Sequence, residues 1–333
     1  MSSSSVEVLT IGNAIVDVIA RADEGLLTRH GMAKGSMRLI DEATAELLLT
    51  EMGQATIVSG GSAGNTAVGV ASLGGRAAFM GKVRDDDLGR LYADDIGAVG
   101  VAFPTRPAVQ GPATARSFIL VTPDGERTMN TYLGACTGFG PGDIDEETVR
   151  SAAFTYMEGY LWDPPAAKEA FLRAAAIAHA AGRQVALTLS DAFCVDRYRG
   201  EFLNLMRTGI VDLVFANDGE LRSLYETASL DAAIAAVREE RVAAVVTRSA
   251  DDALLVDREA VRSAPSFHVE RVVDSTGAGD LFAAGFLFGR ARGFEGVDCL
   301  RLGALAAAEV IQHVGARPQT SLKALAAAEG FAM

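Results

Sequence analysis

The sequence has little with which to staple, anchor or extend a fold. Its three cysteines, Cys136, Cys194 and Cys299, are scattered and form no C-x-x-C pair. That excludes a disulfide framework and points to a reducing compartment. The four histidines, His30, His179, His268 and His313, show no metal-ligand spacing and read as ordinary surface or core residues. No run approaches 18 apolar residues without a charge, so no membrane span is expected. Basic residues are outnumbered, 30 Lys and Arg against 43 Asp and Glu, for a net charge of −13. Such a surface repels phosphate backbones, so neither nucleic acid nor an anionic membrane is expected as a partner. A small anionic ligand stays compatible where local N–H groups and a metal gather the charge. The serine run Met1 to Ser5 has neither the basic nor the apolar region of a signal peptide. It is expected to be unstructured, and the protein soluble and cytoplasmic. There is no internal repeat and no long linker. What is present is bulk: 333 residues at 49% hydrophobic content, enough to bury a large core in one α/β domain or two smaller ones without staples.

The most informative stretch runs Val272-Val273-Asp274-Ser275-Thr276-Gly277-Ala278-Gly279-Asp280, followed by the apolar run Leu281 to Phe288. It reads as a short strand end, a glycine turn and the start of a buried helix. The first N–H groups of a helix have no intrahelical acceptor and the helix dipole is positive there, which favours an anion. Gly277 and Gly279 let a ligand approach the backbone, and Asp280 falls in the first turn, where the dipole keeps a carboxylate ionised. This suits phosphoryl transfer to a hydroxyl, with backbone donors holding charge and a carboxylate orienting the nucleophile. The same residues also fit an ordinary helix start with an acid beside it.

Other stretches bear on that choice. Val6 to Ile11 is a short strand ending at Gly12-Asn13, and Asp17 follows, placed to accept hydrogen bonds from ligand hydroxyls or to face water. Asp41 caps a helix running through Glu51, and Ile57-Val58 leads into a second glycine turn, Ser59-Gly60-Gly61-Ser62-Ala63-Gly64-Asn65. Ser62 and Asn65 there either meet a ligand or cap the helix, which stops at Gly74-Gly75. From Ala113 to Ala135 the pattern alternates about Pro123-Asp124-Gly125-Glu126, a β-hairpin inserted into a βα rhythm, with Arg127 at the base of its second strand. After residue 150, strand-like runs at Phe154 to Glu158, Gln184 to Leu189, Asp212 to Ala216 and Ala243 to Thr247 alternate with helical stretches, which implies a parallel sheet covered on both faces. Three of these strands end in polar groups: Glu158, then Asn217 to Glu220, then Thr247-Arg248-Ser249.

Taken together, these residues resemble the ribokinase and adenosine kinase family, also called the PfkB carbohydrate kinases. The resemblance runs nearly end to end and is most specific at Gly60 to Asn65, continuing to Gly81 and Gly89, and at Asp274 to Asp280. It implies a single domain over residues 1–333, a three-layer α/β/α sandwich with a mostly parallel central sheet. A small β lid would come from about 18–40 and 104–135. It implies transfer of phosphate from ATP, with Mg²⁺, to a hydroxymethyl group. By position, Asp280 looks like the catalytic base, Gly277, Ala278 and Gly279 like the anion hole, and Arg127 like a residue meeting phosphate. Asn13, Asp17, Gly61, Ser62, Asn65 and Glu158 look like the acceptor site. Thr247, Ser249 and Thr276 look like nucleotide contacts, and Asn217 with Glu220 like the N-x-x-E motif that orders magnesium and phosphate.

Two departures stand out: Ser275 where the family commonly has Thr, and Ser249 where it often has Gly beside the nucleotide. A monovalent cation such as K⁺ near Asp274 is common in the family. For the acceptor, Gly12-Asn13, Ser62 and Arg127 look like adenosine kinase, whereas Glu158 and Thr276 look more like the sugar kinases. The expectation is the 5′-hydroxyl of adenosine, with ribose or a ketohexose as the alternative and a non-catalytic nucleotide or nucleoside sensor as a second. Ile15, Leu133 and Ala135 would form an apolar slot for a base. A sensor would not need Asp280 and Glu220, and a dinucleotide-dependent dehydrogenase fits poorly, since no G-x-G-x-x-G follows the first strand. The residues leave the oligomeric state open.

Overall fold

The computed structural model describes residues 6–332, and the serine run Met1 to Ser5 lies outside them. Among the described residues, thirteen strands divide between two sheets. They are β1 (Val8–Ile11), β2 (Ile15–Arg21), β3 (Met37–Leu39), β4 (Thr56–Ser59), β5 (Ala77–Met80), β6 (Ala115–Val121), β7 (Arg127–Tyr132), β8 (Phe154–Glu158), β9 (Gln184–Thr188), β10 (Leu213–Asn217), β11 (Ala243–Thr247), β12 (Ala253–Val256) and β13 (Val261–Ala264).

The large sheet has eight strands in the order β13-β12-β11-β10-β9-β8-β1-β5. It is parallel from β11 through β5, and β12 and β13 close one edge antiparallel. Helices cover both faces, because strands buried on two sides point alternate residues into two cores. In β1, Val8 joins the core under helices Ser62–Ser72 and Ala278–Ala291, whereas Leu9 and Ile11 join the core under helices Pro165–Ala180 and Ala192–Arg207. This is the three-layer α/β/α sandwich. No helix among the described residues is long and apolar enough to cross a membrane.

The smaller sheet has five strands, β3-β7-β6-β2-β4. Besides the hairpin β6–β7 and the segment 37–39, it takes in β2 and β4. The chain reaches it from β1 through Gly12 to Ala14 and leaves it through Gly60-Gly61. These two crossings lie side by side, with Gly60 N–H donating to Ile15 O at 2.7 Å. Gly61 takes φ +83°, and a Cβ there would strike Asn13 O, so this turn needs glycine. Period-two alternation gives the sheet two faces. Val16, Val18, Phe118 and Leu120 pack inward with Leu26 and Leu48. Ile15, Asp17, Ser117, Ile119, Met129 and Thr131 face a cleft between the two sheets.

Sequence reading fails at one place beside the glycines. Val272 and Val273 form no strand: they are exposed loop residues, held by Val273 N–H donating to Ile311 O at 2.8 Å. β-branching there satisfies a propensity, but no neighbouring strand offers a ladder, and tertiary context decides.

Candidate active site

The cleft encloses about 810 Å³ along the carboxyl ends of the large sheet, the place where open α/β sheets bind ligands. At its floor starts the helix Ala278–Ala291. Gly277 precedes it in the left-handed region at φ +81°, and a Cβ on it would come within 2.7 Å of Ala316 Cα. A Cβ on Gly279 would meet nothing within 4 Å, so the backbone there is open to the cleft. The turn is braced from behind by Asp274. Its Oδ1 accepts from Thr276 N–H (3.1 Å) and Thr276 Oγ1 (2.7 Å), and its Oδ2 accepts from Gly315 N–H (2.8 Å). Arg127 reaches across from β7, with Nη2 2.8 Å from Asp274 Oδ2 and Nη1 3.3 Å from Thr276 Oγ1. A positive charge of the smaller sheet therefore sits beside this carboxylate, and both carboxylate oxygens are engaged.

Asp280 is half-buried in the first turn. Its Oδ1 accepts from Ser62 Oγ at 2.7 Å and its Oδ2 from Asn65 Nδ2 at 3.0 Å. Burial raises its pKa, and those two hydrogen bonds offset only part of the rise. Ser62 and Asn65 are thus no helix caps; the cap residue is Gly61, and no side chain caps this helix. Asp17 looks across from β2, and its carboxylate packs on Gly60, where a Cβ would strike it. Among the described residues no donor hydrogen-bonds to Asp17. Burial pushes its pKa up to about 7, with Arg317 and Arg127 opposing and Asp280 adding to the rise.

Glu158 is differently placed. Its Oε1 accepts from Asn13 Nδ2 at 2.8 Å, and its Oε2 from Ala63 N–H at 2.9 Å and Asn13 N–H at 3.3 Å. It ties the end of β8 to the β1 crossing and to the start of the Ser62 helix, and burial pushes its pKa up to about 7. Asn217 and Glu220 form a reciprocal cap. Asn217 Oδ1 accepts from Glu220 N–H at 2.8 Å, and the Glu220 carboxylate accepts from Asn217 N–H at 3.0 Å and Asn217 Nδ2 at 2.6 Å. Burial lifts Glu220 to about 7, with Asp191 and Asp218 adding to it, an acidic setting that a cation would relieve. Among the described residues no three His, Cys, Asp or Glu converge as a metal cage. Magnesium, held by water, substrate phosphates and one or two carboxylates, does not require one.

The cleft is lined by Asn13, Asp17, Gly61, Ser62, Asn65, Glu158, Asn217, Glu220, Thr247, Thr276, Gly277, Gly279 and Asp280, so one space unites sites 267 residues apart in sequence at the extremes. Ala278, Arg127 and Ser249 do not line it. Ser249 is exposed at φ +54°, the left-handed geometry that glycine adopts without strain. Of the apolar slot, Ile15 and Leu133 line the cleft and Ala135 does not. Sequence reading missed the other apolar residues that line the cleft, Ile119, Met129, Met37 and Leu39, and two aromatic ones, Tyr160 and Phe193. Each aromatic follows the end of a large-sheet strand, β8 or β9, by a few residues, and that position was the available signal. It also missed Arg317, whose Nη1 donates to Asp95 Oδ2 at 3.1 Å while Asp95 holds Ser59 at the end of β4.

Comparison with known proteins agrees with this geometry. Residues 32–323 match the family described as pfkB family carbohydrate kinase. Among solved structures, the chain is similar to the adenosine kinase from Sinorhizobium meliloti, at 54% identity and a TM-score of 0.91, covering 98% of this chain and 100% of that one. It is as similar to a probable sugar kinase protein from Rhizobium etli CFN 42, at 52% identity and a TM-score of 0.92, covering 98% and 99%. Among characterised sequences, the ATP-dependent ribose-1-phosphate kinase of Halopiger xanaduensis is 32% identical over 286 residues, 85% of this chain and 84% of that one. With a family match over residues 32–323, the chain belongs to the pfkB family of carbohydrate kinases.

Proposed function

We propose that this kinase transfers the γ-phosphoryl group of ATP to the 5′-hydroxyl of adenosine. The observation that carries the reading is the apolar share of the cleft lining. Asp17, Asn65, Asp280 and the open backbone at Gly277 and Gly279 share the cleft with Ile15, Ile119, Met129, Leu133, Tyr160 and Phe193. On the smaller sheet the polar row Asp17, Ser117 and Thr131 runs between Ile15 on one side and Ile119 with Met129 on the other. A purine needs such an apolar slot, whereas a free sugar needs hydrogen-bonding partners in the same place. Glu158, the residue that speaks for a sugar, spends both oxygens on Asn13 and Ala63. The likeness to the Sinorhizobium meliloti adenosine kinase supports the same reading.

In this arrangement Asp17 and Asn65 hold the ribose hydroxyls, and Asp280 takes the proton of the attacking hydroxyl. The new O–P bond forms as the bond from the γ-phosphorus to the bridging oxygen breaks, and ADP leaves with the electron pair. The N–H groups of Gly277, Ala278 and Gly279 receive the developing charge on the phosphoryl oxygens. Arg127 turns its guanidinium from Asp274 towards those oxygens when phosphate arrives. Asn217 and Thr247 border the nucleotide, and Glu220 with Asn217 would help to hold magnesium. Magnesium supplies charge neutralisation across the phosphates. A monovalent cation such as K⁺ beside Asp274 would share that carboxylate with Arg127, Thr276 and Gly315.

The second reading, a sugar or sugar phosphate as acceptor, is favoured by the ribose-1-phosphate kinase and sugar kinase relatives. An ATP-consumption assay across adenosine, other nucleosides, ribose, ribose 1-phosphate and fructose separates the two. Adenosine is expected to be turned over and to raise the melting temperature. Turnover of a free sugar or sugar phosphate, with neither turnover nor a thermal shift for adenosine, refutes the choice of acceptor.

A further inference from the structure

The helix Ser62–Ser72 begins without a side-chain cap, although its first turn carries Ser62 and Asn65, residues well suited to capping. Both polar groups point the other way. Ser62 Oγ and Asn65 Nδ2, one turn apart on the same helix face, each donate to a different oxygen of Asp280, at 2.7 and 3.0 Å. The alignment is set two turns further along. A Cβ on Gly69 would come within 2.6 Å of Ala284 Cβ and 2.7 Å of Leu281 Cδ1, so the two helices touch backbone to side chain and cannot slide past each other. The orientation of the Asn65 amide follows from chemistry: turned over, its Oδ1 would face a carboxylate. As it stands, Oδ1 is buried and takes no hydrogen bond from the protein, and Asn65 borders the cleft.

We propose that Ser62 and Asn65 are positioning residues for Asp280, each fixing one carboxylate oxygen so that the base meets the acceptor hydroxyl in a single orientation. The proposal rests on the kinase reading only in naming Asp280 as the base. A carboxylate shielded from water and without donors rotates about its last torsion and favours its neutral form; two donors restrain the rotation and oppose the shift. The titrating groups that face Asp280 are Asp17 on β2, Tyr156 and Glu158 on β8, and Tyr160 beyond it, and none of them donates to it. Arg127 and Arg317 act on Asp17.

The test has two readouts. First, the ¹³C-labelled aspartate carboxyl resonance of Asp280, identified by its absence in Asp280→Asn, is titrated in the ligand-free protein. Its midpoint is expected to move to higher pH in Ser62→Ala and in Asn65→Ala, and to return in Ser62→Thr. A midpoint unchanged in both alanine variants overturns the proposal. Second, with the best acceptor, Ser62→Ala is expected to lower kcat about 10- to 100-fold, the usual cost of a misplaced reacting group, with little change in KM. The acidic limb of its kcat profile should move to higher pH. A higher KM with kcat and its pH profile intact makes Ser62 a simple acceptor ligand and overturns the positioning role. Should the wild type turn over no acceptor, the kinase reading falls, while the carboxyl titration still decides whether Ser62 and Asn65 govern Asp280.

Discussion

Glu158 links the fold to the cleft, and its substitution by glutamine gives a quantitative check on the buried acids. The carboxylate is 1% exposed and accepts from Asn13 and Ala63, yet burial outweighs those donors and lifts its pKa from 4.5 to about 7. An acid whose pKa is higher folded than unfolded binds more protons in the native state between those values. Its contribution is complete below pH 4.5 and is lost as pH rises through about 7. The full difference is about 3 kcal/mol. With an unfolding entropy near 0.7 kcal/mol/K for a chain of this length, that is about 4 °C in Tm.

Glu158→Gln removes the proton-linked step but keeps the shape and one acceptor. Near pH 5, where Glu158 is neutral, variant and wild type should be similarly stable. Near pH 9 the variant should lose about 3 kcal/mol less than the wild type relative to pH 5. Asp17 and Glu220, also lifted to about 7, contribute to both proteins and cancel in the comparison. Urea denaturation of the ligand-free protein at both pH values measures the double difference. Equal losses for the two proteins would refute the idea that Glu158 carries a charge-burial penalty.

The remaining predictions address the chemistry. Asp280→Asn should cut turnover about 10²- to 10⁴-fold while nucleotide and acceptor still bind, and near wild-type turnover in a steady-state assay would remove Asp280 as the base. Glu220→Gln should shift the magnesium dependence of kcat to higher concentrations and be partly rescued by excess metal; identical magnesium titrations would count against a role at the metal. The hairpin β6–β7 and the segment 34–40 should gain hydrogen-exchange protection when acceptor and nucleotide are bound, since a kinase has to exclude water from the transfer; no change in protection would leave the smaller sheet a static wall.

Much of this architecture was legible because it rests on local signals. The runs Phe154–Glu158 and Ala243–Thr247 coincide with β8 and β11 to the residue, for a mostly apolar run between turns has few alternatives in a sheet covered on both faces. Asp41 capping the helix Glu42–Glu51 was equally local: its carboxylate accepts from Thr44 N–H at 2.9 Å. The two antiparallel strands β12 and β13 escaped notice. Ala253–Val256 is only four residues long, and Val261–Ala264 alternates weakly on an exposed edge.

The site was legible in its members and not in their mutual contacts, and the reason is physical. A residue type announces which bonds it can make, but its partner is chosen by packing at long sequence separation. Arg127 reads as a phosphate ligand from its charge, yet its companion, Asp274, is brought to it by the fold 147 residues later. Ser62 and Asn65 read as caps or sugar ligands, and the glycine contact at Gly69 aims them at Asp280 instead. The same logic explains Gly60: in sequence it is one of a pair of turn glycines, while in space it is the surface on which the Asp17 carboxylate rests. A Gly60→Ala change would therefore act on the acceptor site through Asp17, at a position whose φ lies outside the left-handed region and imposes no demand for glycine of its own. In this cleft the small residues are the negative image of the carboxylates, and the two sets are interpretable only together.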